Sequence, residues 1–135
     1  MIKDGAVVYE VRYPHSPQRV WRALVEPLEQ ADWLMPSVGF AAILGNKFTM
    51  ACDPVGEIAG EVLEVDPPRL LTMSWTAPFG TTIVSVTLAP AADGTALTLV
   101  HSGWAPAASA ARDQFESGWR DKLGSGLATV LDREA

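Results

Sequence analysis

The sequence predicts an α+β fold: a curved antiparallel sheet of about seven strands wrapped around a long C-terminal helix, with two short helices after the first strand. Three observations predict it. Between residues 39 and 102 the apolar residues recur at every second position, in six runs separated by turns too short for a parallel crossover. Residues 107–132 carry an apolar stripe at helical spacing. Between the first strand-like run and the rest stand two short helical segments, each beginning or broken at a proline.

The first strand is the β-branched and aromatic run 6–13, in which Tyr9 to Tyr13 alternate apolar with charged. Pro14 stops it. Ser16-Pro17 then forms an N-cap with proline at the first helical position, where a missing N–H costs nothing. Val20, Trp21, Leu24 and Val25 line one side of that helix until Pro27, and residues 28–33 make a second short helical turn.

The later strands are predicted at 40–44, 47–52, 57–66, 69–76, 81–89 and 95–102. Turn chemistry divides them: Gly45-Asn46, Asp53-Pro54-Val55-Gly56, Pro67-Pro68, Ala77-Pro78-Phe79-Gly80 and Ala92-Asp93-Gly94. In the run 57–66 the parity is inconsistent, because Ile58 and Val62 oppose Leu63 and Val65. A bulge near Gly60 or cover on both faces would reconcile them. In the last helix Phe115, Trp119, Leu123 and Leu127 repeat every four residues, with Val130 and Leu131 continuing the stripe. Gly118, Gly124 and Gly126 lie inside it, so the helix either packs very close to something or tolerates flexibility. Without an internal repeat or linker, the whole span 1–135 is expected to be one domain.

Composition excludes several function classes. With 48% hydrophobic and 19% charged residues the chain is not intrinsically disordered. Its net charge of −6 argues against nucleic acid, whose phosphates call for a cationic face. The single cysteine, Cys52, excludes an intrachain disulfide and any multi-cysteine metal site. No apolar stretch follows a basic run at the start, and no window approaches the roughly 18 apolar residues of a membrane span. A cytoplasmic protein is expected.

Strand parity places Leu71, Met73 and Trp75 on one face, with Val84, Val86 and Leu88, with Leu97, Leu99 and His101, and with Phe48, Met50 and Cys52 on the corresponding faces of their strands. Trp33, Trp75, Trp104 and Trp119 are large groups whose N–H seeks a partner when buried. Such walls suit an apolar pocket and an ordinary core alike.

Several stretches in this order resemble a known family. They are Ser16-Pro17 with Val20-Trp21 and Ala23-Leu24, then Ala31-Asp32-Trp33, then the run 60–70 ending in Asp66-Pro67-Pro68-Arg69-Leu70. Ser74-Trp75, His101-Ser102-Gly103-Trp104, and Gly118-Trp119 with Leu123 and Leu127 follow. Together they resemble the START-like helix-grip superfamily, also called SRPBCC. Within it the match is to the family named for the activator of the ninety-kilodalton heat-shock-protein ATPase, in its single-domain bacterial type. The resemblance implies a deep apolar cavity between the curved sheet and the long helix, used across the superfamily for lipids, polyketides, hormones and other hydrophobic ligands. Some distant members are cyclases or dehydratases, and others only bind.

The candidate chemical groups are few. His101 points inward beside Leu97 and Leu99, where it is either an acid–base or ligand contact or, with more weight, a satisfied core histidine. His15 sits in a turn and is expected to be solvated. Neither has metal-ligand spacing around it. Cys52 lies beside Met50 with no base to activate it, and the adjacent Asp53 opposes a thiolate. On a regular strand Glu57 and Glu61 share one face and Glu64 takes the other, as on a solvated sheet. Asp32 and Arg69 suit turn or cap roles better than ligand contacts. No nucleophile–base set, phosphate-cradling loop or dinucleotide fingerprint is present.

The expected function is therefore binding of a hydrophobic small molecule in an interior cavity, with no catalytic residue, metal or organic cofactor. On the sheet its wall would comprise Phe48, Met50, Met73, Trp75, Val84, Val86 and Leu99. Trp33, Phe115 and Trp119 would complete it from the helices, and His101 and the Trp75 N–H would orient a polar end. Two other readings stay open. One is a cyclase, dehydratase or hydrolase using His101 as acid or base; the other is a chaperone-associated interaction module. A protein partner stays open too, as does a monomeric or homodimeric state.

Overall fold

The structure, a computed structural model, describes residues 1–52 and 56–133. Most of the turn expected at Asp53-Pro54-Val55-Gly56 thus lies outside the described residues, as does the Asp53 carboxylate expected beside Cys52. The chain runs β1 (Ile2–Lys3), β2 (Ala6–Tyr13), α1 (Pro17–Val25), α2 (Pro27–Trp33), β3 (Ser37–Val38) and β4 (Lys47–Cys52). It continues with β5 (Gly56–Asp66), β6 (Leu70–Ala77), β7 (Gly80–Ala91) and β8 (Gly94–Ser102). A 3-10 turn at Pro106–Ala108 then leads into α3 (Ser109–Asp121), a π-helical stretch at Lys122–Gly126 and α4 (Leu127–Asp132).

Among the described residues one antiparallel sheet holds eight strands in the order β1-β2-β8-β7-β6-β5-β4-β3. The meander from β4 to β8 is closed by β2, which pairs with β8 from Val7 opposite His101 to Tyr13 opposite Thr95. This is an α+β fold with a curved sheet, short helices near the start and a long helix at the end. The helices lie against one face: α3 touches β2, α1 touches β7 and β8, and α4 touches α1 and α2.

Several expectations are corrected. Residues 40–44 are not a strand; the strand in this region is the shorter β3 just before them. Their backbone groups are taken up locally instead. The Asn46 side chain accepts from Ala41 N–H and donates to Gly39 O, each at 3.0 Å, while Ile43 N–H donates to Ala41 O. That closes a loop where a ladder would need free groups. β1 completes the count of eight, turned back onto β2 through Asp4 and Gly5, both at positive φ.

The bulge in β5 sits between Val62 and Glu64, not near Gly60. It turns Leu63 outward and puts Glu64 opposite Thr72, the same side as Glu61 opposite Ser74. All three glutamates, Glu57 included, therefore share the outer face. Gly60 has a different role, close approach: a Cβ there would lie 2.6 Å from the Phe48 ring at Cε2 and 2.9 Å from Ser74 O.

The last helix is not one regular α-helix. Leu127 N–H reaches back five residues to Lys122 O, which opens the π-helical stretch. The carbonyl of Leu123, inside that stretch, accepts the buried Tyr13 hydroxyl at 2.7 Å. Two of the glycines mark close contacts here, Gly124 facing the Tyr9 hydroxyl and Gly126 facing Trp33. Gly118 faces open space. The stripe itself is as spaced: Trp119, Leu123, Leu127, Val130 and Leu131 are all buried. Each buried aliphatic of that kind contributes about 1.5–3 kcal/mol relative to exposure.

The corner between α1 and α2 is fixed by polar bonds. Ser16 caps α1 by accepting from Arg19 N–H at 3.2 Å. Trp33 Nε1–H donates to Ala23 O at 2.7 Å. The fully buried Gln30 donates to Leu24 O and accepts from Ser37 Oγ, both at 2.9 Å. His15 is not free in solvent as expected but meets Asp132 at 3.1 Å, and Asp32 pairs with Arg133 at 2.6 Å. Arg69 binds Asp66 within its turn.

Candidate functional site

Register makes the helix-facing surface of the sheet a set of cross-strand rows. Val62, Met73, Val84, His101 and Val7 stand opposite one another across five strands. Leu71, Val86, Leu99 and Tyr9 form the next row, and Phe48, Gly60, Trp75 and Thr82 another. Phe48 fills the space that Gly60 leaves and meets Phe40 edge-on at 5.0 Å. Met50 is buried on the same strand. The inward alternation read from β6, β7 and β8 is thus the alternation of the structure.

At one end of these rows the rings converge. Trp75 stacks on Trp119 at 5.5 Å and meets the His101 ring edge-on at 5.4 Å. Phe115 lies 5.2 Å from His101, and Trp104 lies 4.4 Å from it. Phe79, from the β6–β7 turn, contacts both Trp104 and Phe115. Four of the eleven expected wall residues, Trp75, His101, Phe115 and Trp119, therefore form one aromatic box. Trp33 belongs to the α1–α2 corner and packs on Gly126, with its N–H already used.

Parity missed Phe79 and Trp104 because neither lies in a strand. Phe79 sits in a turn, and Trp104 follows Gly103, whose φ of 84° ends β8. The signal that could have found them is composition: a large aromatic within a Pro-Phe-Gly turn has no local reason to be there.

The polar wiring of the box has one direction. An indole N–H only donates, so the 3.1 Å bond from Trp119 Nε1 requires an unprotonated Nδ1 on His101. The ring proton then sits on Nε2 and is donated to Thr82 Oγ1 at 2.7 Å. Thr82 in turn donates to Trp75 O at 3.4 Å, and Trp104 Nε1–H donates to His101 O at 2.9 Å. His101 is 0% exposed, and burial holds its pKa down to about 3. Both ring nitrogens are engaged inside the protein, which leaves no free lone pair for a base and no free proton for an acid. Trp75 Nε1 differs: it is buried and has no hydrogen-bond partner among the described residues.

The box is thinly covered. α3 buries only Trp119, and Phe79, Trp104 and Phe115 are each half-buried. The following π-helical stretch is held harder, by Tyr13 and by Lys122 Nζ donating to Leu34 O at 3.0 Å. Among the described residues no group of three or more His, Cys, Asp or Glu could hold a metal ion, and no helix is long and apolar enough to cross a membrane.

A curved antiparallel sheet gripping a long helix over an apolar inner face defines the helix-grip class. Within it, the chain belongs to the family described as "Activator of Hsp90 ATPase homolog 1-like protein", whose model matches residues 14–132. Solved structures share the fold along nearly the whole chain. Protein MLL2253 from Mesorhizobium loti is 32% identical with a TM-score of 0.89, over 96% of this chain and 98% of its own. BH1534 from Bacillus halodurans is 26% identical with a TM-score of 0.81, over 97% and 99%. DynU16, from the dynemicin biosynthetic locus, is 25% identical with a TM-score of 0.84 over 98% of this chain. This chain spans about half the length of DynU16, at 49%. No curated protein matches the sequence.

Proposed function

We propose that this chain is a single cytoplasmic domain that binds a hydrophobic small molecule between the inner face of its sheet and its last helix. Membership of a helix-grip family supports the class of function. The observation that carries the reading is the aromatic box itself: rings buried at its floor, half-buried at its rim, under a helical segment that fully buries only one of its side chains. Apolar walls with few polar tips are what a small-molecule site needs. Entry would proceed by displacing Phe115 and the start of α3, because local opening begins where buried contacts are fewest. Met73, Val84, Val86 and Leu99 would form the sheet wall, with Phe48 and Met50 at its far side.

The test is a thermal shift followed by intrinsic tryptophan fluorescence across flavonoids, fatty acids, sterols and aromatic polyketides. A ligand at one hundred times its Kd should stabilise by about 2.7 kcal/mol, enough to raise Tm by several degrees. A saturable rise for one class supports the proposal. No rise for any class overturns it in favour of a filled interior.

A further inference from the structure

We infer that the ligand presents an uncharged hydrogen-bond acceptor, of the carbonyl type, to the indole N–H of Trp75; the inference rests on the binding reading above and specifies its polar end. The box holds five side-chain polar centres, and four of them are spent on one another or on backbone. Trp119 donates to His101, His101 to Thr82, Thr82 to Trp75 O, and Trp104 to His101 O. Every other side-chain N–H and O–H donor of the box is spent in this chain of bonds. What remains is Trp75 Nε1, a donor on a side chain that is 0% exposed.

A buried donor without an acceptor is costly and calls for a specific explanation. Phenylalanine at this position would keep ring packing against Trp119, His101 and Phe115 and avoid the cost. An acceptor oxygen arriving with a ligand satisfies the indole and places the ligand's body along the apolar rows of β6, β7 and β8. The rings around the box contribute no cation, so a carboxylate would enter without a counter-charge, which buried sites penalise heavily. Trp75 stacked on Trp119 favours a flat neighbour. Conjugated or aromatic ketones meet all of these conditions. His101 is no part of the contact, because its nitrogens are already engaged.

The test compares three flat molecules of one shape: fluorene, with no polar group; carbazole, with a donor only; and fluorenone, with an acceptor only. Affinities are measured by calorimetry on the whole chain, and the tryptophan N–H resonances are followed in proton–nitrogen correlation spectra. Fluorenone should bind about five- to tenfold tighter than the other two, the size of one neutral hydrogen bond. The Trp75 N–H resonance alone among the tryptophans should move strongly downfield. In Trp75→Phe the ratio of fluorenone to fluorene affinity should fall to about one. The resonance shift reads the same contact in the unaltered protein, so it decides the matter even where the variant fails to fold. Equal binding of all three, without that shift, overturns the acceptor inference and leaves the cavity reading standing. Binding of none overturns both.

Discussion

Trp119 and His101, eighteen positions apart in the chain and on opposite sides of the core, are joined by a 3.1 Å bond that can run in only one direction. Protonating His101 would set a second N–H against the indole N–H. The bond thus accommodates only the neutral imidazole, and burial independently holds the His101 pKa down to about 3.

A pH dependence follows. Unfolded, His101 takes up a proton near pH 6.5; folded, it does so only near pH 3. Its stabilising contribution is complete above 6.5 and declines by about 1.4 kcal/mol per pH unit as pH falls through the window to 3. Between pH 7.5 and 5 the wild type should lose about 2 kcal/mol in urea titrations. His101→Gln should flatten that loss, since the groups around the ring (Thr82, Trp75, Trp104, Phe115 and Trp119) do not titrate there. An undiminished slope in the variant would assign the effect elsewhere.

Trp119→Ala should cost about 3–5 kcal/mol, because it removes a buried indole and leaves both a cavity and an unpaired His101 Nδ1. Equilibrium denaturation measures it. A loss below about 1 kcal/mol would show that α3 does not seat this ring in the core.

Tyr13→Phe should cost about 1–3 kcal/mol by leaving the Leu123 carbonyl without its buried donor. Hydrogen exchange should show faster exchange around residues 122–128 than in the wild type. Unchanged protection there would mean that the π-helical stretch does not depend on the hydroxyl.

Two glycines should respond with opposite sign. Gly60→Ala forces a methyl group into the Phe48 ring and Ser74 O, at about 1–3 kcal/mol. Gly118→Ala meets nothing within 4 Å and should stabilise by roughly 0.8–1 kcal/mol through helix propensity. Melting curves of the two variants, side by side, separate close approach from mere flexibility. A shared sign would refute the distinction.

The central strands and the helix stripe were legible in the sequence because burial writes a period there: two for Val84, Val86 and Leu88, about four for Trp119, Leu123 and Leu127. What escaped has no period. β1 and β3 are each two residues long, below the length at which alternation exists. Residues 40–44 alternate weakly, yet the decisive fact is a side chain outside them, Asn46, bonding back into the segment. Leu63 broke the pattern of β5 at the bulge itself, and parity signalled the break without its address. Inward residues of the site were legible one by one, but their convergence was not. The box joins a turn, a loop and a helix to the sheet, and only tertiary contact shows that both His101 nitrogens are engaged while the buried Trp75 N–H has no hydrogen-bond partner among the described residues.

The two shortest strands also govern how this molecule meets copies of itself. An open sheet ends in rows of unpaired amides and carbonyls, which invite another chain to extend it. Here those rows belong to β1 and β3, each offering two residues of ladder beside Lys3 on one margin and the Asn46-closed loop on the other. A visiting strand would gain little on either, and β6, β7 and β8 lie between paired neighbours along nearly their whole length. The sheet is kept open enough to grip a helix, and its two outermost strands are too short to propagate it.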